Sequence, residues 1–144
     1  MSAKFTRKKF ETPAYYHVYN RGVIKSPLFF DEQDFRRFRK IIRTAIAQQK
    51  GNVVCDVFCL LDNHYHLGLY QKSIDGIRKV MHSAMTRYSL YFNKKYKRVG
   101  RVFERPYCAA IKRTPLQILN IRNYVLLNPI RAGKIAWEHV GRNI

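Results

Sequence analysis

Two histidines separated by one residue, His64 and His66, open the chemical reading of this chain. Residues i and i+2 of a strand project from the same face, so the pair would emerge side by side. Tyr65 and Leu67 would meanwhile anchor the opposite face in a core. Two adjacent imidazoles form part of a metal site, although an H-x-H tripeptide alone also fits two histidines with no ligand. A second pair, Tyr124 and Asn128, lies four residues apart near the end of the chain. On a helix the two share one face about a turn apart, with Gln117 and Asn120 extending the same polar stripe. The plainer reading makes Asn128-Pro129 a helix stop and Tyr124 an ordinary amphipathic side chain.

A third feature is the segment Tyr88–Tyr107 (YSLYFNKKYKRVGRVFERPY). Its six cations, Lys94, Lys95, Lys97, Arg98, Arg101 and Arg105, are interleaved with Tyr96, Phe103 and Tyr107. Cations neutralise phosphates and aromatic rings stack on unpaired bases, so this pattern suits single-stranded or hairpin nucleic acid. A solvated charge run flanked by core aromatics is the alternative.

The elements that must position these residues are legible from period and punctuation. Tyr15–Arg21 is aromatic and β-rich and closes on Gly22, as a strand does. Asp31 caps a helix to about Lys50, with Asp34 in its first turn and Phe35, Phe38, Ile42, Ala45 and Ile46 at helical spacing. Val53–Leu61 is almost wholly apolar, the pattern of a central strand. Asp62-Asn63 turns the chain into a strand over His64–Tyr70. Ser73 is placed to cap a long helix to about Tyr96, and Val99–Ile111 reads as extended. Thr114-Pro115-Leu116-Gln117 is a helix start with a capping box, and Pro129 is expected to stop that helix at Asn128. The order β-α-β-β-α-β-α predicts an α+β protein: a ferredoxin-like antiparallel sheet with helices packed on it.

Composition bounds the function. The chain has 144 residues, enough for one domain with its own core, and 47% hydrophobic content excludes a disordered tail. No repeat or linker divides it, and no apolar run reaches bilayer length. Lys4, Arg7, Lys8 and Lys9 near the start are not followed by an apolar stretch, so no secretory signal is expected and the cytoplasm is the expected compartment. Cys55, Cys59 and Cys108 are odd in number without C-x-x-C spacing, which predicts free thiols instead of a disulfide framework or a structural zinc site. Twenty-eight Lys and Arg against nine Asp and Glu leave a net charge of +19. Such an excess opposes compaction unless a polyanion shares the surface, so a nucleic-acid partner is expected and a membrane partner is not.

In combination these stretches resemble the HUH endonucleases, most closely the single-tyrosine transposases, including those associated with repetitive extragenic palindromes. The resemblance is carried by YHVYNRG (16–22), LFFDEQDFRRF (28–38), CLLDNHYHL (59–67), the basic aromatic segment (87–107) and YVLLNPIRAG (124–133). It implies that His64 and His66 bind a divalent metal, Mg²⁺ or Mn²⁺, with Asn128 as third ligand. Tyr124 on the last helix would be the nucleophile that cleaves and rejoins single-stranded, hairpin-flanked DNA through a 5′-phosphotyrosine. Asn20, Arg21 and the cations of the basic segment fall where such proteins touch DNA. Tyr88, Tyr91 and Tyr96 are the next nucleophile candidates after Tyr124. The resemblance admits a monomer, or a homodimer in which Tyr124 serves the partner's site. Two other readings compete: a non-catalytic hairpin-binding relative, and a replication-initiator or relaxase-type nickase, which the small size and single tyrosine of the last helix disfavour. Arg105-Pro106-Tyr107 departs from the Gly-Arg-Tyr often found in the family. The chain also ends eleven residues past Gly133, where many members continue, so recognition of flanking DNA is expected to be reduced.

Overall fold

A computed structural model describes residues 10–131, 133 and 139–144. The residues before Phe10, including the four cations of the N-terminal segment, lie outside that description. Five strands and three helices follow one another as β1 (Ala14–Arg21), α1 (Glu32–Ala47), β2 (Val53–Leu61), β3 (His64–Gln71), α2 (Gly76–Lys95), β4 (Cys108–Lys112), α3 (Pro115–Arg131) and β5 (Val140–Arg142). The sheet is antiparallel with spatial order β4-β1-β3-β2-β5. Its first four strands show the interleaving expected of a ferredoxin-like α+β arrangement.

Strand alternation divides the side chains between two faces. Tyr16, Val18, Phe58, Leu60, Tyr65, Leu67 and Leu69 join Phe38 and Ile42 of α1 and Ile77, Met81, Met85 and Tyr88 of α2 in the larger core. Tyr65 is fully buried there, its hydroxyl donating to Met85 Sδ at 3.2 Å. The other face carries Tyr15, Val57, Cys59 and Leu61, and against it pack Ile121 and Val125 of α3. His17, Tyr19, His64 and His66 share the parity of that second face, so the histidine pair looks toward the last helix.

Three sequence expectations shift. Ser73 does not cap α2: its N–H and hydroxyl both donate to Asn52 Oδ1 at 2.7 Å, and the helix starts at Gly76 after Asp75 in a left-handed conformation. The 99–111 stretch is extended only over β4. Before it, Asn93 Nδ2 donates to Gly100 O and Phe103 forms an isolated bridge with Gly22, so the chain turns back over the end of α2. Helix α3 does not end at Asn128 but continues through Pro129 to Arg131. The residue before a proline resists helical geometry, yet Asn128 and Pro129 are both buried and Asn128 sits beside His64. Tertiary contact outweighs the local preference.

The N-terminus of α3 forms as its sequence dictates. Gln117 N donates to Thr114 Oγ1 at 3.1 Å while Thr114 N donates back to Gln117 Oε1 at 3.4 Å, a reciprocal capping box. Asp31 caps α1 without that reciprocity, its Oδ1 accepting from Asp34 N at 3.0 Å. The three cysteines are free: Cys55 and Cys59 are buried and Cys108 is partly exposed. Burial pushes both buried thiols up to about 12, so neither is a ready thiolate.

Candidate active site

The histidine pair and the last helix meet. Tyr124 is 39% exposed and its ring lies edge-on to His66, with centroids 5.7 Å apart at 87°. Asn128, one turn later and 7% exposed, neighbours the His64 imidazole and favours its protonated form. His64 and His66 rings stand 5.2 Å apart at right angles. His64, His66 and Tyr124, from two elements about sixty residues apart in sequence, thus line one cleft of about 460 Å³, and Asn128 lies behind it beside His64.

The cleft has a basic mouth. Arg21, Lys25 and Arg105 line it, with Glu104 the acidic counterweight. Arg21 holds Glu104 with both its Nε and its Nη2, the latter at 2.9 Å, and the guanidinium keeps that carboxyl below the usual range. Asn20 is buried and structural in its contacts: its Nδ2 donates to Arg105 O at 2.6 Å and Pro106 O at 3.2 Å. It fixes the path of the Arg105-Pro106-Tyr107 segment past the end of β1.

The remaining cations differ in their freedom. Lys94, Lys97 and Arg101 are exposed. Arg98 caps the end of α2, donating to Asn93 Oδ1 at 3.2 Å and Arg101 O at 3.1 Å. Lys95 is engaged inside the fold, donating to Asp31 Oδ2 at 2.6 Å and Asp34 Oδ1 at 2.9 Å. Asp34 is fully buried and also accepts from Tyr96 and Tyr91, the latter at 2.7 Å, and from Phe30 N at 2.9 Å. Tyr88 donates to Leu28 O. The hydroxyls of Tyr88, Tyr91 and Tyr96 therefore serve packing on the α1–α2 side of the sheet, away from the histidines.

Two residues that sequence reasoning did not single out adjoin the histidine pair, Tyr19 in the cleft wall and His17 behind His66. Tyr19 pairs with His66 across β1 and β3, and its ring stacks 4.7 Å from that of His17. His17 Nε2 lies 2.9 Å from His66 Nδ1. The signal for both is parity, since residues 17, 19 and 21 share a face; using it requires the strand register, which no local pattern supplies. Burial disfavours the protonated form of all three imidazoles. It lowers His64 against the opposing pull of Asn128 and Asp62. It takes His17 down to about 4, with Lys112 contributing, and His66 to about 3, with His17 and His64 contributing. Neutral imidazoles keep a nitrogen lone pair for a cation.

Among the described residues no group of three or more His, Cys, Asp or Glu side chains could hold a metal ion. A cation at the histidine pair would draw its third protein ligand from the Asn128 amide and fill its other positions with water or phosphate oxygen. Two neutral imidazoles and an amide, with room left in an open cleft, fit that use.

Residues 11–127 match the family described as IS200-like transposases. The chain belongs to that family. It is thereby a member of the single-tyrosine branch of the HUH superfamily, and the match spans the cleft as far as Tyr124. Among solved structures, a tyrosine transposase associated with repetitive extragenic palindromes, bound to a hairpin of that element, superposes with a TM-score of 0.71 at 12% identity, covering 94% of this chain and 75% of that one. A candidate transposase of Deinococcus radiodurans R1 superposes with a TM-score of 0.54 at 17% identity, covering 94% of this chain and 99% of that one. At such identities the superpositions establish the α+β fold of the IS200-like chain. No curated protein sequence matches it significantly. No helix among its described residues is long and apolar enough to cross a membrane.

Proposed function

We propose that this transposase cuts and rejoins single-stranded DNA beside a hairpin, using Tyr124 as nucleophile in a metal-dependent transesterification. The observation that carries the reading is the meeting of Tyr124 with His66 and of Asn128 with His64 around one basic cleft. Binding alone calls for none of these four side chains.

His64, His66 and Asn128 would hold Mg²⁺ or Mn²⁺. When bound, the cation supplies a Lewis acid beside the scissile phosphate. The chain's own residues do the rest. Helix α3 presents the Tyr124 hydroxyl at the cleft surface, and Arg21, Lys25 and Arg105 attract the phosphate chain and offset charge that grows in the transition state. The Tyr124 oxygen forms a bond to phosphorus, its proton passing to solvent. The bond to the 3′ oxygen breaks, and that oxygen takes up a proton to leave as a free 3′-OH. The 5′ end stays on Tyr124. Attack by that or another 3′-OH reverses the step, so strands exchange without an external energy source.

The DNA footprint follows from shape and charge. Beside the cleft runs a groove of about 1230 Å³ between α2 and residues 101–109. Met85, Phe103 and Tyr107 give it apolar surface, and Arg78, Arg101 and Arg105 line it too. Such a groove suits unpaired bases with phosphates at its edge, and Arg105 belongs to both groove and cleft. With the net charge of +19, this supports hairpin DNA as partner, as in the structural relative bound to one. The polyanion explains the basic composition.

The test uses Mn²⁺ and a library of labelled DNA hairpins with randomised single-stranded flanks. A denaturant-resistant protein–DNA adduct is expected from the wild type. Tyr124→Phe should form none while binding the same hairpins. Equal adduct from Tyr124→Phe would move the nucleophile elsewhere, and tight binding with no adduct from the wild type would favour the non-catalytic hairpin binder.

A further inference from the structure

The two histidines of the cleft are not equivalent behind their rings. His64 Nδ1 lies 2.7 Å from Asn63 Oδ1. A carboxamide oxygen can only accept, so His64 carries its proton on Nδ1 and keeps the Nε2 lone pair. His66 meets another imidazole instead: His17 Nε2 is 2.9 Å from His66 Nδ1, the two rings lying 5.2 Å apart and within 18° of parallel. Both rings are at most 8% exposed, so water has little access to replace either partner.

A contact between two neutral imidazoles at that distance contains one proton. If His17 donates, His66 must carry its own hydrogen on Nε2, and no lone pair remains for the cleft. If His66 donates from Nδ1, its Nε2 is left unprotonated beside His64 and Tyr124. Only the second arrangement gives both cleft imidazoles the same tautomer, each with Nδ1–H held from behind and Nε2 unprotonated. We propose that His17 is a positioning residue, accepting the Nδ1 proton of His66 through Nε2 so that His66 is fixed in the tautomer and ring orientation able to ligate a cation. The proposal rests on the two-histidine cation site proposed above. The chemical reason is general: an imidazole ligand is oriented, and its tautomer chosen, by the acceptor on its second nitrogen.

The fold makes this partner from the neighbouring strand. His17 and Tyr19 project from the same side of β1, and Tyr19 is the residue directly opposite His66. His17 stands diagonally across the ladder, opposite Gly68, and reaches His66 along the sheet surface. Its ring also meets Tyr124 edge-on at 6.1 Å, so one side chain buttresses both a candidate ligand and the candidate nucleophile.

Two measurements test the assignment. Nitrogen-15 NMR of the histidine rings in the metal-free wild type near neutral pH should show His66 protonated on Nδ1, and His17 protonated on Nδ1 with Nε2 accepting. A proton on Nε2 of His66 overturns the proposal without any variant having to fold. Mn²⁺ binding followed by electron paramagnetic resonance gives the second measurement. His17→Phe retains a flat ring but no acceptor and should weaken binding roughly ten- to hundred-fold. His17→Gln places an acceptor oxygen near the lost Nε2 and should restore binding to within a few-fold of wild type. Wild-type affinity in His17→Phe, or equal weakness in both variants, would reduce His17 to packing. Failure of the wild type itself to bind Mn²⁺ would instead sink the cation site, while the NMR measurement would still decide the His17–His66 contact.

Discussion

Arg122 Nε lies 2.8 Å from Asp56 Oδ2, tying α3 to β2 two residues before Tyr124. Asp56 occupies an irregularity in the β2–β3 ladder, between the paired Cys55 and Val57, where an extra residue re-aims its side chain. It also accepts from Tyr15 at 2.8 Å and Arg142 at 2.5 Å, so one carboxylate gathers β1, β5 and α3. Burial alone would raise its pKa, but Arg122, Tyr15 and Arg142 outweigh it and hold the group below its ordinary value. Asp56→Asn should therefore cost about 2 kcal/mol of stability and loosen α3 in particular. Hydrogen exchange should accelerate over 115–128 more than over α1 or α2; uniform protection across all three helices would show that apolar packing alone docks α3.

Asp34 performs the equivalent task on the opposite face, and its charge sets an acid limit. Burial opposes its ionisation, yet Tyr96, Lys95, Phe30 N and Tyr91 together hold it below the ordinary value of 3.8. A carboxyl with a lowered folded pKa contributes stability that is complete above the unfolded value and is lost as pH falls through the folded one. Denaturation of the wild type should accordingly show a stability loss beginning below about pH 4. Asp34→Asn should be less stable by about 3 kcal/mol at pH 7 and lack that share of the acid slope. An unchanged slope in the variant would assign it to other carboxylates.

Chelation should separate chemistry from binding. The cations that would hold DNA are side chains, so EDTA is expected to abolish adduct formation while leaving hairpin affinity within a few-fold of its value with Mn²⁺. His64→Ala and Asn128→Ala should behave like the chelated wild type. A parallel loss of hairpin binding on chelation would make the ion part of the DNA interface.

Glu104 tempers the cleft mouth by occupying Arg21. Glu104→Gln removes one negative charge and releases that guanidinium, so affinity for single-stranded DNA should rise several-fold at low salt. The slope of log affinity against log salt should steepen by about one phosphate equivalent, ~0.7 for a single strand. Fluorescence anisotropy across a salt series reads both quantities, and an unaltered slope would place Arg21 outside the footprint.

Much of this protein is written locally. The His64–Leu67 alternation fixes which side chains enter the core and which face outward, because strand geometry repeats every two residues. The capping box at Thr114 and Gln117 forms because its partners are three residues apart, and the charge of +19 needs no fold to imply a polyanionic partner. Family motifs order the rest. What the chain could not reveal locally are relations between residues far apart in sequence. The three-residue strand β5 is too short to carry a pattern, and its place is set by pairing with β2. The run through Pro129 depends on burial against the sheet, and Lys95 reads as a free cation until Asp31 and Asp34 are brought to it from more than sixty positions away. His17 stands 49 residues from His66 and becomes its partner only through the register of β1 on β3. Side-chain type and spacing determined the candidate chemistry; the pairing of distant strands decided which groups surround it, because a hydrogen bond of 2.9 Å depends on position in space and not on distance along the chain.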